Sequence, residues 1–196
     1  VRPYGAAVIG IQVTGISELV KALGEQADRL PRELATAVNA TAKATQRHMA
    51  KEVTQELAAP QKAIAQTLAQ SKKASKDSLR AQVTLSKTNR ISLREFGARQ
   101  TRAGVSAKIS KSKGRTTIPG GFQGPKPGAM KVSWRGNAFK RVGKTRLPIV
   151  KLKGPSPWGV FVKRGSTKKS AEFADAELEK QIKRRVRAVM VRRGLI

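Results

Sequence analysis

The chain has 196 residues, with 41 Lys or Arg against 12 Asp or Glu and a formal charge of +29. Cysteine is absent, which excludes disulfides, thiolate metal sites and a cysteine nucleophile and agrees with a reducing compartment. No stretch reaches the roughly 18 apolar residues needed to span a bilayer, so no membrane association is expected.

Val8, Ile9, Ile11 and Val13 read as a short first strand. The apolar run Ala6–Val13 is too short for a secretory signal and contains Gln12. Ile16, Leu19, Val20, Leu23 and Ala27 then repeat at helical spacing. Pro31 ends that helix or opens the next, since proline suits a first helical turn. From Pro31 to about Leu57, the residues Leu34, Val38, Ala42, Thr45, Met49 and Val53 form one stripe, which predicts a long helix. Pro60 interrupts it, and Gln61–Gln70 predicts a short helix. Ser71–Ser78 reads as a polar connector.

The pattern then changes. Leu79–Leu85 alternates apolar and polar residues, a strand signature, and Ile91–Phe96 and Gly104–Ile109 are further strand candidates. Lys111–Ala129 contains five Gly and three Pro and predicts a long loop. Met130–Trp134, Ala138–Val142 and Leu147–Leu152 resume the strand pattern. Gly154-Pro155-Ser156-Pro157 reads as a sharp turn. Ala171–Arg193 predicts a closing helix, with Ala174, Leu178, Ile182 and Val186 on one face and Gly194 at its end. The sum is an α+β fold: N-terminal helices and a C-terminal helix packed on an antiparallel sheet, with a long basic Gly/Pro-rich loop. One domain over 1–196 is expected. It comprises a strand and helices in 1–70, a basic β-rich region in 71–169 with the loop 111–129, and the C-terminal helix in 170–196.

Charge is distributed very unevenly over those regions. Residues 71–169 hold 26 of the basic residues but only Asp77 and Glu95 as acids, a net +24. Residues 1–70 carry +2 and residues 170–196 carry +3. Most Lys and Arg are simply exposed, but a surface built for solubility mixes both signs. Self-repulsion on this scale opposes compaction, so an anionic partner is expected, either nucleic acid or an acidic protein surface.

Catalytic chemistry is not evident. His48 is the only histidine, lies in the long helix, and reads as a structural or surface residue. Ten of the 12 acids lie in the flanking helical regions and suit pairs three or four residues apart, as Glu179 with Lys183. Asp77 and Glu95 make a poor dyad, because Asp77 sits in a connector. The segment Ile118–Gly124 lacks the Gly-Lys-Ser/Thr ending of a phosphate-binding loop. No enzyme activity, metal or cofactor is expected.

The basic residues fall in two settings. Arg80, Lys131, Arg135, Lys140, Arg141, Lys151 and Lys153 alternate with apolar residues on predicted strands. Lys72, Lys73, Lys76, Lys111, Lys113, Arg115 and Lys126 lie in predicted connectors. Both settings suit sequence-independent contacts to phosphate backbones. Base reading is less supported: Phe96, Phe122, Trp134, Phe139, Trp158 and Phe161 suit core packing better than stacking platforms. The candidate contacts to DNA or a protein partner are Lys72, Lys73, Lys111, Lys113, Arg115 and Lys126. Arg135, Lys140, Arg141, Lys144 and Arg146 complete the set.

Residues 118–156 are the most specific part of the chain. Ile118-Pro119-Gly120-Gly121-Phe122 precedes Phe139-Lys140-Arg141-Val142-Gly143-Lys144. Then come Arg146-Leu147-Pro148-Ile149 and Lys153-Gly154-Pro155-Ser156, followed by an amphipathic helix. The order resembles the minor tail protein Z family of tailed bacteriophages and prophages, also called tail-completion proteins. The resemblance covers about residues 15–193, and its specific part is about forty residues long. It implies a structural virion protein at the head-proximal end of the tail, assembled in the host cytoplasm. Such a protein completes the tail for head–tail joining and DNA positioning. It implies a homo-oligomeric ring, often a hexamer, beside tail-tube, terminator or neck proteins, with possible contact to genomic DNA. The alternative from another class is a general nucleic-acid-binding protein of the ribosomal or nucleoid kind.

Overall fold

The structure is a computed structural model that describes residues 6–14, 30–124 and 136–192. The chain divides into two compact units that interleave in sequence. The first comprises residues 1–49, 68–85 and 164–196; the second comprises 50–67 and 86–163.

The first unit combines a sheet with two long helices. β1 (Ala6–Gln12), β2 (Leu68–Lys72) and β3 (Arg80–Ser86) form a three-stranded sheet in the order β1-β3-β2. β2 and β3 are antiparallel, with Leu68 opposite Leu85 and a bulge between Gln70 and Lys72. Alternation decides which face is buried. Ala7, Ile9 and Ile11 of β1 and Ala81, Val83 and Leu85 of β3 are all inside. α1 (Leu30–Thr54), whose residues from Ala50 on belong to the second unit, has Pro31 and Glu33 in its first turn and Lys51 in its last, as the helix termini favour. Its stripe of Leu34, Val38, Ala42 and Met49 is buried, and the buried Thr41 hydroxyl donates to the Ala37 carbonyl (3.0 Å). Asn39 clamps the connector that follows β2: its amide donates to the Ala74 carbonyl while its carbonyl accepts from the Ala74 N–H, both at 2.9 Å. α4 (Ser166–Arg192) packs on β1. His48 of α1 stacks on Phe173 of α4 with centroids 4.3 Å apart, and its Nδ1 lies 3.3 Å from the Ser170 hydroxyl. The lone histidine therefore has the structural role expected of it.

The second unit is built from short strands. α2 (Gln61–Ala65) follows Pro60. A 3₁₀ turn at Leu93–Phe96 leads to β4 (Arg99–Thr101), β5 (Gly104–Ala107) and β6 (Thr116–Pro119), which form a sheet in that order. β7 (Gly121–Gln123), β8 (Ala138–Arg141) and β9 (Ile149–Lys151) form another. All four pairings within these two sheets are antiparallel. α3 (Pro157–Lys163) closes the unit, with Phe161 fully buried. The Ile-Pro-Gly-Gly-Phe motif is where the chain steps from one sheet to the next. Ile118 pairs with Val105, Phe122 pairs with Phe139, and Gly120 turns between them at φ +69°. That left-handed conformation favours glycine.

The α+β class holds, with antiparallel pairing throughout the registers described for β2–β9. Five local expectations are corrected. The single sheet is three three-stranded sheets. The short helix stops at Ala65, and Leu68–Lys72 is a strand rather than helix and connector, because β3 offers it a pairing edge. Ile91–Phe96 is not a strand: Leu93–Phe96 forms a 3₁₀ turn that buries Leu93 and Phe96, three residues apart. The loop 111–129 contains β6 and β7, which pair with β5 and β8. Pro157 ends a turn but also begins a helix. The predicted helix over residues 16–27, the strand Met130–Trp134 and Gly194 lie outside the described residues.

Candidate partner-binding surface

The proposed contact residues divide between the units. Lys72 and Lys73 belong to the first unit and are exposed. Lys72 and Arg80 border a cavity of about 310 Å³ with Val8, Gly10 and Gln12, on the sheet face opposite the core. Lys111, Lys113, Arg115, Lys140, Arg141, Lys144 and Arg146 belong to the second unit. Lys126 and Arg135 lie outside the described residues.

Within the second unit the residues form two groups with different roles. Lys111, Lys113 and Arg115 lie on the connection between β5 and β6. Lys111 and Lys113 are exposed. Arg115 is held down. Its Nε–H donates to the Ser106 hydroxyl (3.0 Å), and Nη2 donates to the carbonyls of Gly97 (2.6 Å) and Ser106 (2.8 Å). A planar guanidinium can satisfy several acceptors at once in this way; an ammonium cannot do so with the same geometry. Arg115 is therefore a strut between β5 and the turn at Gly97, as well as a surface charge.

The second group lies on the β8–β9 hairpin. Lys140 and Arg141 are exposed on β8, and Lys144 and Arg146 are exposed at the tip. The tip is tied by the Val142 N–H to the Pro148 carbonyl (3.1 Å), and Thr145 Oγ1 donates to the Leu147 carbonyl (2.6 Å). Arg141 donates to the Arg146 carbonyl and lies 5.3 Å from the ring centroid of Phe122. Phe122 in turn stacks on Phe139 at 6.0 Å. The hairpin also exposes Val142 (65%), Leu147 (66%) and Val150 (53%). The strand pattern over 138–142 and 147–152 covers all three, but β8 ends at Arg141 and β9 starts at Ile149, so Val142 and Leu147 lie in the hairpin tip and only Val150 is on a strand. Alternation alone does not say which face of a strand is covered.

Three of the aromatic residues serve packing. Phe96, Phe139 and Phe161 are buried, which removes them as stacking platforms for bases. Trp134 lies outside the described residues. Among the described residues no three His, Asp or Glu side chains converge as a metal site. No helix there is long and apolar enough to cross a membrane.

The basic hairpin and the glycine step at Gly120 occupy the motifs that carried the resemblance. A family model for prophage minor tail protein Z matches residues 13–192. The chain belongs to that family. It is thus a structural protein of a phage tail, a virion component that meets other phage structural proteins. No curated protein and no solved structure matches the chain.

Proposed function

We propose that this tail protein acts at the head-proximal end, as one subunit of a ring that completes the tail for head joining and for placement of the DNA end. It does so structurally, without catalysis, and its two units work together as one tail-completion domain. One observation carries the reading: the second unit has 21 Lys or Arg and only three acids, Glu52, Glu56 and Glu95. Whatever pairs form inside that unit, at least 18 of its bases have no acid of the unit to neutralise them one to one. A ring multiplies that surplus around an axis, and a six-membered ring would line it with over a hundred positive charges. Such a field suits a polyanion held at the axis and neighbours with acidic faces. Exposed Lys111, Lys113, Lys140 and Lys144 are the phosphate contacts in this reading, together with Lys72, Lys73, Lys126, Arg135 and Arg146. Tail-tube, terminator or neck proteins are the neighbours.

Electron cryo-microscopy of whole particles tests the proposal. The expected result is a closed ring of density between tail tube and head, absent from particles made with an amber mutation in the gene, whose tails fail to join heads. Density at the distal tail tip, or normal joining without the protein, would overturn it. DNA contact has its own readout. Each lysine that touches a phosphate should, on replacement by Ala, lower the slope of log affinity against log salt by about 0.9.

A further inference from the structure

A cleft of about 540 Å³ opens in the second unit. Leu93, Ile109, Ile118 and Val160 give it apolar walls, and Lys87, Arg90 and Lys153 also line it. Trp158, at the start of α3, is a further lining residue. Lys87 Nζ lies 5.5 Å from the centroid of the Trp158 ring. The Trp158 indole Nε1 is buried and has no hydrogen-bond partner. The frame of the cleft is fixed. Ser92 and Lys153 form an antiparallel bridge, the Gly154 N–H donates to the Ile91 carbonyl (2.8 Å), and the Leu93 N–H donates to the Leu152 carbonyl (3.3 Å). Two of the motifs that mark the family resemblance meet here, since Ile118 comes from one and Lys153–Ser156 from the other.

We propose that this cleft binds a short acidic–apolar peptide segment of another virion protein, a partner class that rests on the tail reading above. Two features select the occupant. Three cations lining one cleft require an anion. Four aliphatic walls require an apolar side chain, which a sugar–phosphate backbone does not have. A stacked base fits less well, because Lys87 already covers the Trp158 ring. The volume lies in the range of pockets that enclose a small ligand, so the cleft takes one or two side chains and not a folded element. Carboxylates pair with Lys87, Arg90 and Lys153, and an aliphatic or aromatic side chain lies against the apolar walls.

The full-length Trp134→Phe variant leaves Trp158 as the sole tryptophan, since the chain has two. Three probes are titrated into it. The first is a blocked octapeptide alternating Asp or Glu with Leu, Ile or Phe. The second is the same peptide with Lys replacing the acids, and the third is an oligothymidylate of eight nucleotides. The acidic peptide is expected to change Trp158 emission saturably, and the basic peptide is not. Lys153→Glu should raise Kd at least tenfold. Lys62→Glu, the same charge change on α2 away from the cleft, should raise it less than threefold. Far-UV circular dichroism verifies that each variant is folded. The proposal is overturned if the acidic peptide does not bind or if the two charge reversals act equally. It is also overturned if the oligonucleotide displaces the peptide in a Lys153-dependent way, which would assign the cleft to nucleic acid. Particle microscopy separates this inference from the tail reading. Absent peptide binding with a normal head-proximal ring sinks only the cleft, and peptide binding with no ring sinks only the position in the tail.

Discussion

The first unit has 20 Lys or Arg and nine acids; the second has 21 and three. In the first, cations meet carboxylates: Arg185 pairs with Glu33 at 3.2 Å, Lys168 with Glu172 at 4.0 Å, and Lys183 with Glu179. In the second, where acids are scarce, two arginines are anchored by backbone carbonyls instead. Arg115 braces Gly97 and Ser106, and Arg141 braces the hairpin tip at Arg146. The contrast separates two jobs that look alike in sequence. Guanidinium groups with fixed acceptors are parts of the scaffold. Exposed ammonium groups such as Lys111, Lys113 and Lys144 keep their charge available to a partner.

The comparison can be broken at the backbone of the second unit. Gly104 has φ +137°, and a Cβ there would lie 2.1 Å from the Ile118 carbonyl oxygen on the paired strand. That neighbour is main chain and cannot rotate away. Gly104→Ala should cost about 3–4 kcal/mol, combining strained backbone with overpacking. Both tryptophans belong to the second unit, so urea unfolding followed by tryptophan fluorescence reports it selectively. An unchanged midpoint would mean that β5 and β6 do not pair as described. The matching change in the first unit is Leu34→Ala, at a position 2% exposed. It should cost about 3 kcal/mol through lost burial and an unfilled cavity. It should shift the helical circular-dichroism transition, because α1 and α4 dominate that signal.

The arginine–lysine distinction predicts a smaller and sharper difference. Arg115→Ala strands two carbonyls and a hydroxyl, and should cost about 2 kcal/mol in the fluorescence-detected transition. Lys113→Ala, two residues away and exposed, should stay within about 0.5 kcal/mol. Arg115→Lys should recover only part of the loss, because an ammonium lacks the fork geometry. Equal effects of Arg115→Ala and Lys113→Ala would erase the distinction between strut and contact.

The parts legible in sequence are those whose signal is local. α1 shows because its 3.6-residue period runs for 25 residues. β1 and β3 show because alternate residues are buried. The elements that escaped depend on distant partners. Thr116–Pro119 has no apolar alternation and is exposed at three of four positions, so only its pairing with β5 makes it a strand. Leu68–Lys72 likewise needs β3. α3 is seven residues long with Gly159 inside it, too short and interrupted for a period to emerge. The charge surplus and the motif residues were visible, but Arg115 as a strut was not, since Gly97 is 18 residues away. The cleft was invisible for the same reason. Its walls come from residues 87–93, 109, 118 and 153–160, which only the fold brings together.

The smallest expected effect belongs to the charge-balanced unit. Glu179 is exposed on α4, and Lys183 one turn on holds its carboxyl below the ordinary value of 4.5 through a hydrogen bond and charge attraction. A carboxylate with a lowered folded pKa contributes stability above its unfolded pKa and loses that contribution as pH falls through the folded value. Glu179→Gln should therefore be slightly less stable than the parent at neutral pH and low salt, by the modest amount expected of a solvated i,i+4 pair. The gap should close below pH 4.5, as Glu179 takes up its proton, and it should also narrow in high salt. Thermal unfolding of α4 by circular dichroism, with both proteins measured from neutral pH to pH 3, reads this directly. A gap that persists in acid would show that the glutamate acts through packing or helix propensity, and that ion pairing is not what distinguishes the first unit from the second.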